Sequence, residues 1–294
     1  MKEKPRNWKK VNEKYINEGL IYFSIDFVKT WKQELESMNS SKEGERFRFP
    51  ESLMRFCAVL KTMFHLGYRQ EQGVLLAMKK QGLIPAVSYY TQVQRRVVKL
   101  GLDIVKSLKS PSDGQIIAID SSGIKLHNSG EWIREKHKKR KPFVKLHIAV
   151  NIETKQAVSV RITEDSIGDN KVAIPLVDDA RQIATVAKVL EDGAYDTYKN
   201  WNALNARSIK PVIKLRKNAV VNNKRSKTRS QAVKCSRGIE KEWAEANGYG
   251  QRWQSETWFS SFKRRFGEHV YSTKTENVLH EILFKVCLCN ELIA

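Results

Sequence analysis

The stretch of sequence that decides the fold is YGQRWQSETWFSSFK, residues 249–263. It places Tyr249, Arg252, Glu256 and Lys263 at offsets of 0, 3, 7 and 14 residues. At about 100° per residue, the periodicity of an α-helix gathers all four side chains into one narrow stripe. The aromatic residues of the same stretch fall beside that stripe, where they can pack into a core. The stretch therefore predicts one helix that packs through aromatic rings and presents an acid among basic and polar groups.

Charge is the strongest signal in the overall composition. The 294 residues include 53 Lys and Arg against 32 Asp and Glu, which gives a formal net charge of +21. A surplus of this size favours a polyanionic partner, because cationic side chains that contact phosphates release counterions from nucleic acid. The composition therefore indicates a protein that binds nucleic acid, with a basic protein of another kind, such as a ribosomal accessory, as the alternative.

The sequence also argues against several classes of protein. No apolar run approaches the roughly 18 residues that span a bilayer, and the charged N-terminus lacks the apolar stretch of a signal peptide. We therefore expect a cytoplasmic protein with no membrane partner. The four cysteines form no C-x-x-C pair and have no cluster of histidines beside them. Reduced thiols are therefore expected, and a zinc site is not.

The chain has two regions with different residue patterns, divided by a segment rich in Ser, Pro and Gly at residues 107–114. Residues 1–110 show helical periodicity only, and we expect an all-helical DNA-binding region there. The expected elements are short amphipathic helices within 1–36, a loop over 37–50, and helices near 51–67, 69–82 and 88–101, the last capped by Ser88.

Residues 69–100 resemble a helix-turn-helix, because a helix, a break that contains Gly and Pro, and a second helix follow one another. The second helix carries Tyr89, Gln92, Arg95 and Arg96. Gln and Arg can read base edges in a major groove, which makes these residues candidates for DNA binding. An ordinary helical bundle with a solvated polar face explains the same pattern, so both interpretations stay open.

Residues 111–294 predict an α/β domain. Short runs rich in Val and Ile alternate with helical segments, in an order that fits a mixed sheet with helices on both faces. The expected strands lie at 115–120, 145–151, 157–163, 186–193 and 209–216, and the expected helices at 168–184, 194–207, 249–263 and 280–294. A basic loop over 217–237, which contains no Asp or Glu, completes the domain.

Three carboxylates stand out in this second region. Asp120 and Asp192 each lie at the end of a predicted strand, and Glu256 lies on the predicted helix stripe. Carboxylates from separate segments suit hard divalent cations, and two Mg²⁺ ions about 3.5–4 Å apart can assist an in-line displacement at phosphorus. Each acid also has an ordinary explanation. An Asp after a strand is often a turn residue, and Glu256 can pair with Arg252 one helical turn away.

The combination of these motifs resembles a known family. The pattern Y-x2-R-x3-E-x6-K, matched in full within residues 249–263, is the signature of prokaryotic DDE-type insertion-sequence transposases. IIAIDSSGIK at 116–125 looks like the first acidic motif of that family, and VLEDGAYDT at 189–197 looks like the second. The segments at 130–151 and 215–219 are also similar, so the catalytic resemblance covers about residues 113–290.

This resemblance implies an RNase H-like catalytic domain. It implies that Asp120, Asp192 and Glu256 form a catalytic triad that binds Mg²⁺ or Mn²⁺, in a site for two ions. It also implies that Tyr249, Arg252 and Lys263 contact the DNA phosphates near the cut. Their chemistry agrees, because Arg offers a planar fork to phosphate oxygens and Lys offers a point charge.

The function implied by the resemblance is DNA transposition. The helical region would bind the terminal inverted repeats of an insertion sequence, and the catalytic domain would cut the DNA and join it to target DNA. Both steps act on double-stranded DNA, and pairing of two element ends implies a homodimer. A DNA-binding regulator that does not cut and a related nuclease without strand transfer are the alternatives.

Several other residues are weaker candidates. Two basic stretches are expected to contact the DNA backbone, with a solvated loop as the alternative. Their candidate residues are Lys138, Lys139 and Arg140 in the first stretch, and Lys224, Arg225, Lys227 and Arg229 in the second. Asp196 is expected to cap the helix that follows it. Trp253 and Trp258 are expected to pack in the core, although an extruded base could stack on either ring.

Overall fold

The computed structural model describes residues 7–109, 113–126 and 143–293. The chain divides into two compact units between Leu102 and Asp103. The candidates Lys138, Lys139 and Arg140 lie outside the described residues. No helix in the described part of the chain is long and apolar enough to cross a membrane.

The described part of the first unit is helical. Its helices are α1 (Trp8–Tyr22), α2 (Phe27–Asn39), α3 (Glu51–Phe64), α4 (Tyr68–Lys80) and α5 (Tyr90–Val97). Helix α3 forms the centre of the unit, because α1, α2, α4 and α5 all pack against it. Leu53, Met54 and Leu60 of α3 are fully or almost fully buried there. The burial of this apolar helix is the main source of stability for the unit.

Two expectations for this unit need correction. The link from Lys80 at the end of α4 to Tyr90 at the start of α5 spans nine residues (90 − 80 − 1). It is longer than the three- to four-residue turn of a helix-turn-helix, so this feature departs from the predicted motif. Ser88 also does not cap α5. Tyr89 occupies the capping position, and the Ser88 hydroxyl donates to Gln92 Oε1 at 3.1 Å.

The described part of the second unit is built on a six-stranded mixed sheet. Its strands are β1 (Gln115–Leu126), β2 (Phe143–Asn151), β3 (Ala157–Glu164), β4 (Val186–Glu191), β5 (Lys210–Ile213) and β6 (His269–Val270). Five strands follow the order β3-β2-β1-β4-β5, and β6 pairs separately with β1. The pairs β1–β2 and β2–β3 are antiparallel, whereas β4 is parallel to both β1 and β5. This is the RNase H-like arrangement, and the predicted fold class is confirmed.

Helices cover both faces of this sheet, because alternate residues of its strands point to opposite sides. On one face, Ile117 and Val189 join a core with α6 (Ala173–Arg181) and α7 (Tyr198–Ala206). On the other face, Ala118 and Leu190 lie against Trp243 and Tyr249. The helices that follow β5 along the chain are α8 (Lys227–Ser236), α9 (Glu240–Asn247), α10 (Trp253–Phe266) and α11 (Thr275–Ile293).

Helix α10 packs on β1 and β2, and its aromatic side chains at 258, 259, 262 and 266 are buried, as the opening stretch predicts. Phe262 and Phe266 are buried, with ring centroids 5.2 Å apart. The predicted single helix over 249–263 is wrong at its start, however. Residues Tyr249–Arg252 form a 3-10 turn, and the α-helix begins at Trp253. Gly248 causes the change, because its left-handed φ of 68° ends α9 and redirects the chain.

Three further boundaries differ from the predictions. Strand β1 continues to Leu126, so Asp120 lies in the middle of a strand and not at its end. Strand β6 was not predicted, because two residues are too few to show alternation. The predicted basic loop over 217–237 contains helix α8, which begins at the Ser226 cap.

Candidate active site

Asp120 lies in β1, and Asp192 directly follows the adjacent strand β4. Parallel pairing of β1 with β4 brings Ala118 opposite Leu190. Asp120 and Asp192 come two residues later on their respective chains, and a spacing of two returns a side chain to the same face. Strand β4 ends at Glu191, and the Asp192 carboxylate accepts a hydrogen bond from the Ala194 N–H at 2.8 Å.

The edge of β1 beside Asp120 is open. Strand β1 pairs with β4 only as far as Ala118, and with β6 only from Lys125 onward. Within the described residues, no strand therefore pairs with the intervening stretch of β1 on that side. This gap lets side chains from the start of α10 reach Asp120.

Arg252 connects two of the candidate acids. Its Nη1 atom lies 4.0 Å from Asp120 Oδ2, and its Nη2 atom donates a hydrogen bond to Glu256 Oε1. The centre of the same guanidinium lies 5.9 Å from the centroid of the Tyr249 ring. One cationic group thus lies beside Asp120, Glu256 and Tyr249.

The neighbouring acids influence the pKa of Asp120. Burial raises the pKa of Asp120, and the negative charges of Asp192 and Glu256 raise it further. A hydrogen bond from the Ser121 N–H and the charge of Arg252 oppose that rise. The pKa of Tyr249 is also raised, first by burial and then by Asp192 and Glu256. The negative charge around Asp120 and Tyr249 favours a cation at this place.

Arg252 supplies such a cation. Burial alone would lower the pKa of Arg252, but Tyr249, Glu256 and Asp120 raise it overall. In the described part of the chain, no three acidic, His or Cys side chains are close enough to hold a metal ion together. The candidate acids nevertheless fit a divalent ion. Asp120 and Glu256 already lie beside one cation, Arg252, and Asp192 directly follows the strand next to Asp120. All three supply the oxygen ligands that Mg²⁺ prefers.

Lys263 lies apart from this cluster. It follows Glu256 by seven positions on α10, which is about 10 Å along the helix axis. Lys263 Nζ is 4.0 Å from Glu268 Oε1, and Glu268 also forms a 2.8 Å ion pair with Lys125. Of the four residues in the sequence signature, the described contacts therefore join Tyr249, Arg252 and Glu256, and they place Lys263 near β6.

The two tryptophans of α10 have different environments. Trp258 is buried and stacks on Phe262, with ring centroids 5.0 Å apart, as expected for a packing residue. Trp253 is 51% exposed, so the expectation that it packs in the core is wrong.

Two candidate DNA-binding arginines have other partners. Arg229 is buried and forms an ion pair with Asp196, at 2.6 and 2.7 Å. Arg96 donates to the Phe49 carbonyl at 2.6 Å and lies over the Phe47 ring. Both side chains have partners within the fold, and their role as DNA contacts stays a prediction. The remaining described candidates, which are exposed, are Tyr89, Gln92, Arg95, Lys224, Arg225 and Lys227.

Asp196 is the residue whose role differs most from the prediction. It does not cap α7, because the Thr197 hydroxyl accepts the capping hydrogen bond from the Asn200 N–H. Its carboxylate instead accepts hydrogen bonds from Arg229, from Trp201 Nε1 at 2.9 Å and from the Arg216 N–H at 3.2 Å. The only sequence signal for this role is the second aspartate in VLEDGAYDT, four residues after Asp192.

Comparison with known proteins identifies a family. A family model described as "Transposase DDE domain" matches residues 111–290, and a second model with the same description matches residues 16–129. A piggyBac transposase synaptic complex with hairpin DNA is similar at 9% identity and a TM-score of 0.44, over 95% of this chain and 74% of that chain. A Drosophila P element transposase strand transfer complex is similar at 13% identity and a TM-score of 0.37, over 68% of this chain and 47% of that chain.

Proposed function

Because the chain belongs to the DDE transposase family, we propose that it is the transposase of an insertion sequence and that Asp120, Asp192 and Glu256 carry its chemistry. The observation that supports this assignment best is the contact of one guanidinium, that of Arg252, with both Asp120 and Glu256. Asp192 supports it further, because it directly follows β4, the strand that pairs with β1 just before Asp120.

The proposed reaction is in-line phosphoryl transfer without a covalent enzyme intermediate. In the first step, a water oxygen attacks the phosphorus, the bond from phosphorus to the 3′ oxygen breaks, and a free 3′-hydroxyl is released. In the second step, that hydroxyl attacks a phosphorus of the target DNA and displaces the 3′ oxygen there, which leaves as a hydroxyl. The two steps share one geometry, so a single site can perform both.

Transposases of this family generally use divalent metal ions. Asp120, Asp192 and Glu256 would hold Mg²⁺ or Mn²⁺, in a site for two ions. Such ions, when bound, assist the attacking oxygen and stabilise the leaving one. Arg252 would then be free to turn from the carboxylates toward a phosphate, which its planar fork can bind through two hydrogen bonds. Tyr249 and Lys263 would contact the same DNA strand on either side of Arg252.

The remaining candidates divide between two tasks. In the first unit, the exposed side chains of Tyr89, Gln92 and Arg95 would read the terminal inverted repeats. In the second unit, the exposed Lys224, Arg225 and Lys227 would contact the DNA backbone without reading its sequence. Pairing of two element ends would require a homodimer, with a second duplex as the target.

The test uses the purified full chain, a duplex that ends in the element's inverted repeat, and Mg²⁺. We expect Asp120→Asn, Asp192→Asn and Glu256→Gln each to reduce cleavage to background while DNA binding is kept. Asp178→Asn is the control, because Asp178 pairs with Arg207 and takes no part in the proposed site. Cleavage by the triple variant at the wild-type rate would overturn the proposal. Cleavage without joining to target DNA would instead identify a nuclease.

A further inference from the structure

Two arginines hold the turn that follows Asp192. The Arg216 side chain donates from Nε to the Gly193 carbonyl at 3.1 Å and from Nη2 to the Ala194 carbonyl at 3.3 Å. Arg229 reaches the other end of the turn, where its Nε and Nη2 atoms lie 2.6 and 2.7 Å from the two oxygens of Asp196. Residues from the chain beyond β5 thus hold the turn at both ends.

The ion pair between Asp196 and Arg229 is buried and fully bonded. The residues are 4% and 6% exposed, and Arg229 also lies over the Tyr198 ring at 4.9 Å. Burial by itself would raise the pKa of Asp196, but the hydrogen bonds from Arg229, the Arg216 N–H and Trp201 lower it overall. The pair is therefore charged on both sides.

A chain of hydrogen bonds connects this pair to the proposed catalytic acid. The Ala194 N–H donates to Asp192 Oδ1 at 2.8 Å, so the orientation of the Asp192 carboxylate depends on the backbone of the turn. Arg216 binds the carbonyls of Gly193 and Ala194, on both sides of that N–H. The Lys214 N–H adds a 3.1 Å hydrogen bond to the Glu191 carbonyl just before Asp192.

We propose that Asp196, Arg229 and Arg216 are positioning residues that hold the Asp192 carboxylate in place beside Asp120. The inference rests on the proposed function, in which Asp192 is a metal ligand. An ion pair of this kind is weak evidence for stability alone, because a hydrophobic pair of the same size is often as stable. A geometric role explains why a charged pair lies at this position. It resembles the outer hydrogen bonds that orient metal ligands in other sites.

The test measures Mn²⁺ binding to the full chain without DNA, by EPR of the free ion, together with the thermal midpoint of each variant. Asp196→Asn keeps the shape of the side chain but removes its charge. We expect Asp196→Asn to weaken Mn²⁺ binding by about tenfold or more. Arg229→Lys, which keeps the charge but loses the two-pronged bond, should weaken it less.

A matched control distinguishes a positioning role of Asp196 from a general loss of stability. Asp178 and Arg207 form an equally two-pronged pair in the same unit, at 2.7 and 2.8 Å, with no contact to the turn after Asp192 in the described structure. Asp178→Asn should leave Mn²⁺ affinity within about twofold of wild type. The proposal fails if Asp196→Asn and Asp178→Asn have the same Mn²⁺ affinity.

Two further variants make the outcome decisive. If Asp196→Asn does not fold, Arg216→Gln replaces it, because the Arg216 side chain is exposed and its loss spares the core. Weakened Mn²⁺ binding by Arg216→Gln supports the proposal, and unchanged binding overturns it. Asp192→Asn tests the premise. If Asp192→Asn binds Mn²⁺ as wild type does, the metal role of Asp192 in the proposed function fails. If Asp192→Asn alone weakens binding, only the positioning role fails.

Discussion

Two buried acids, one in each unit of the chain, have opposite environments. In the second unit, Asp196 accepts hydrogen bonds from two arginines and a tryptophan, and its pKa is lowered. In the first unit, Glu71 of α4 is fully buried, and neither of its oxygens has a hydrogen-bond partner among the described residues. Burial raises its pKa to about 7, although the Cys57 thiol and Lys61 oppose that rise.

The difference shows what a buried acid can contribute. An acid that is charged and fully bonded fixes the geometry of its surroundings, which suits a place beside a reactive site. An acid that is buried without partners is more stable when neutral. It therefore makes the stability of the fold depend on pH but does little to fix the geometry of its surroundings. The surroundings of Asp196 are therefore suited to hold a turn, whereas those of Glu71 are suited only to pack a neutral side chain.

The largest expected effect comes from removal of the partner of Asp196. Arg229→Met should destabilise the second unit by about 3–5 kcal/mol, because Asp196 would remain buried and charged without its counter-ion. Urea unfolding of the full chain, followed by hydrogen exchange in α7 and α8, measures this change. Arg207→Met is the control, and it should cost about 1 kcal/mol or less because its partner Asp178 is 40% exposed. Equal costs for the two variants would remove the contrast between buried and exposed pairs.

The next expected effect comes from replacement of Glu71. At neutral pH this replacement should stabilise its unit, whereas Arg229→Met should destabilise the other unit. A carboxyl whose pKa rises from 4.5 unfolded to about 7 folded binds more protons when folded. Its contribution to stability is complete below about pH 4.5 and is lost as the pH rises through 7. The side chain of Glu71→Gln does not titrate. As the pH rises from 4 to 8, the free energy of unfolding of this variant should therefore increase by about 3 kcal/mol relative to that of wild type.

Urea unfolding at several pH values, followed by hydrogen exchange in α3 and α4, tests this prediction. Glu36→Gln is the control, because Glu36 is exposed on α2. A difference between wild type and Glu71→Gln that stays constant from pH 4 to pH 8 would contradict the prediction. Glu71 would then be as well accommodated as Asp196.

A smaller effect extends the comparison to Arg252, which is only partly buried between its acids. Arg252 competes with a metal ion for Asp120 and Glu256, so Arg252→Gln should bind Mn²⁺ roughly tenfold more tightly while it cleaves DNA more slowly. Arg265→Gln, in the last turn of the same helix, removes an equal charge and controls for net charge. Weaker Mn²⁺ binding by Arg252→Gln would mean that Arg252 assembles the acids and does not compete for them.

The sequence predicts the fold well wherever local patterns carry the information. Alternating Val and Ile in β2 and β3 mark strands that the structure confirms. The second half of β1 was not predicted, because its polar residues become a strand only through long-range pairing with β2. Helix α8 was missed for a similar reason. It is rich in basic residues, and its order depends on the contact of Arg229 with a residue 33 positions earlier.

The features of the candidate site were likewise predictable only where local spacing carries the information. The spacing of Tyr249, Arg252 and Glu256 predicts side chains that meet, and the structure shows Arg252 in contact with both of the others. The spacing could not show that Lys263 belongs beside Glu268, because α10 ends close to β6. The spacing also could not show the proposed roles of Asp196 and Arg216. Those roles depend on the turn after Asp192, which is held by residues that follow β5 in the chain.

Helix α10 is attached to β1 at both ends, and this limits how its length can change in evolution. At its start, Arg252 reaches Asp120. At its finish, Gly267, with a φ of 76°, turns the chain directly into β6, which pairs with β1 at Lys125. One inserted residue between Glu256 and Gly267 would rotate the acid by about 100° around the helix relative to this second anchor. Homologous chains should therefore vary in residue identity along this helix but keep its residue count constant.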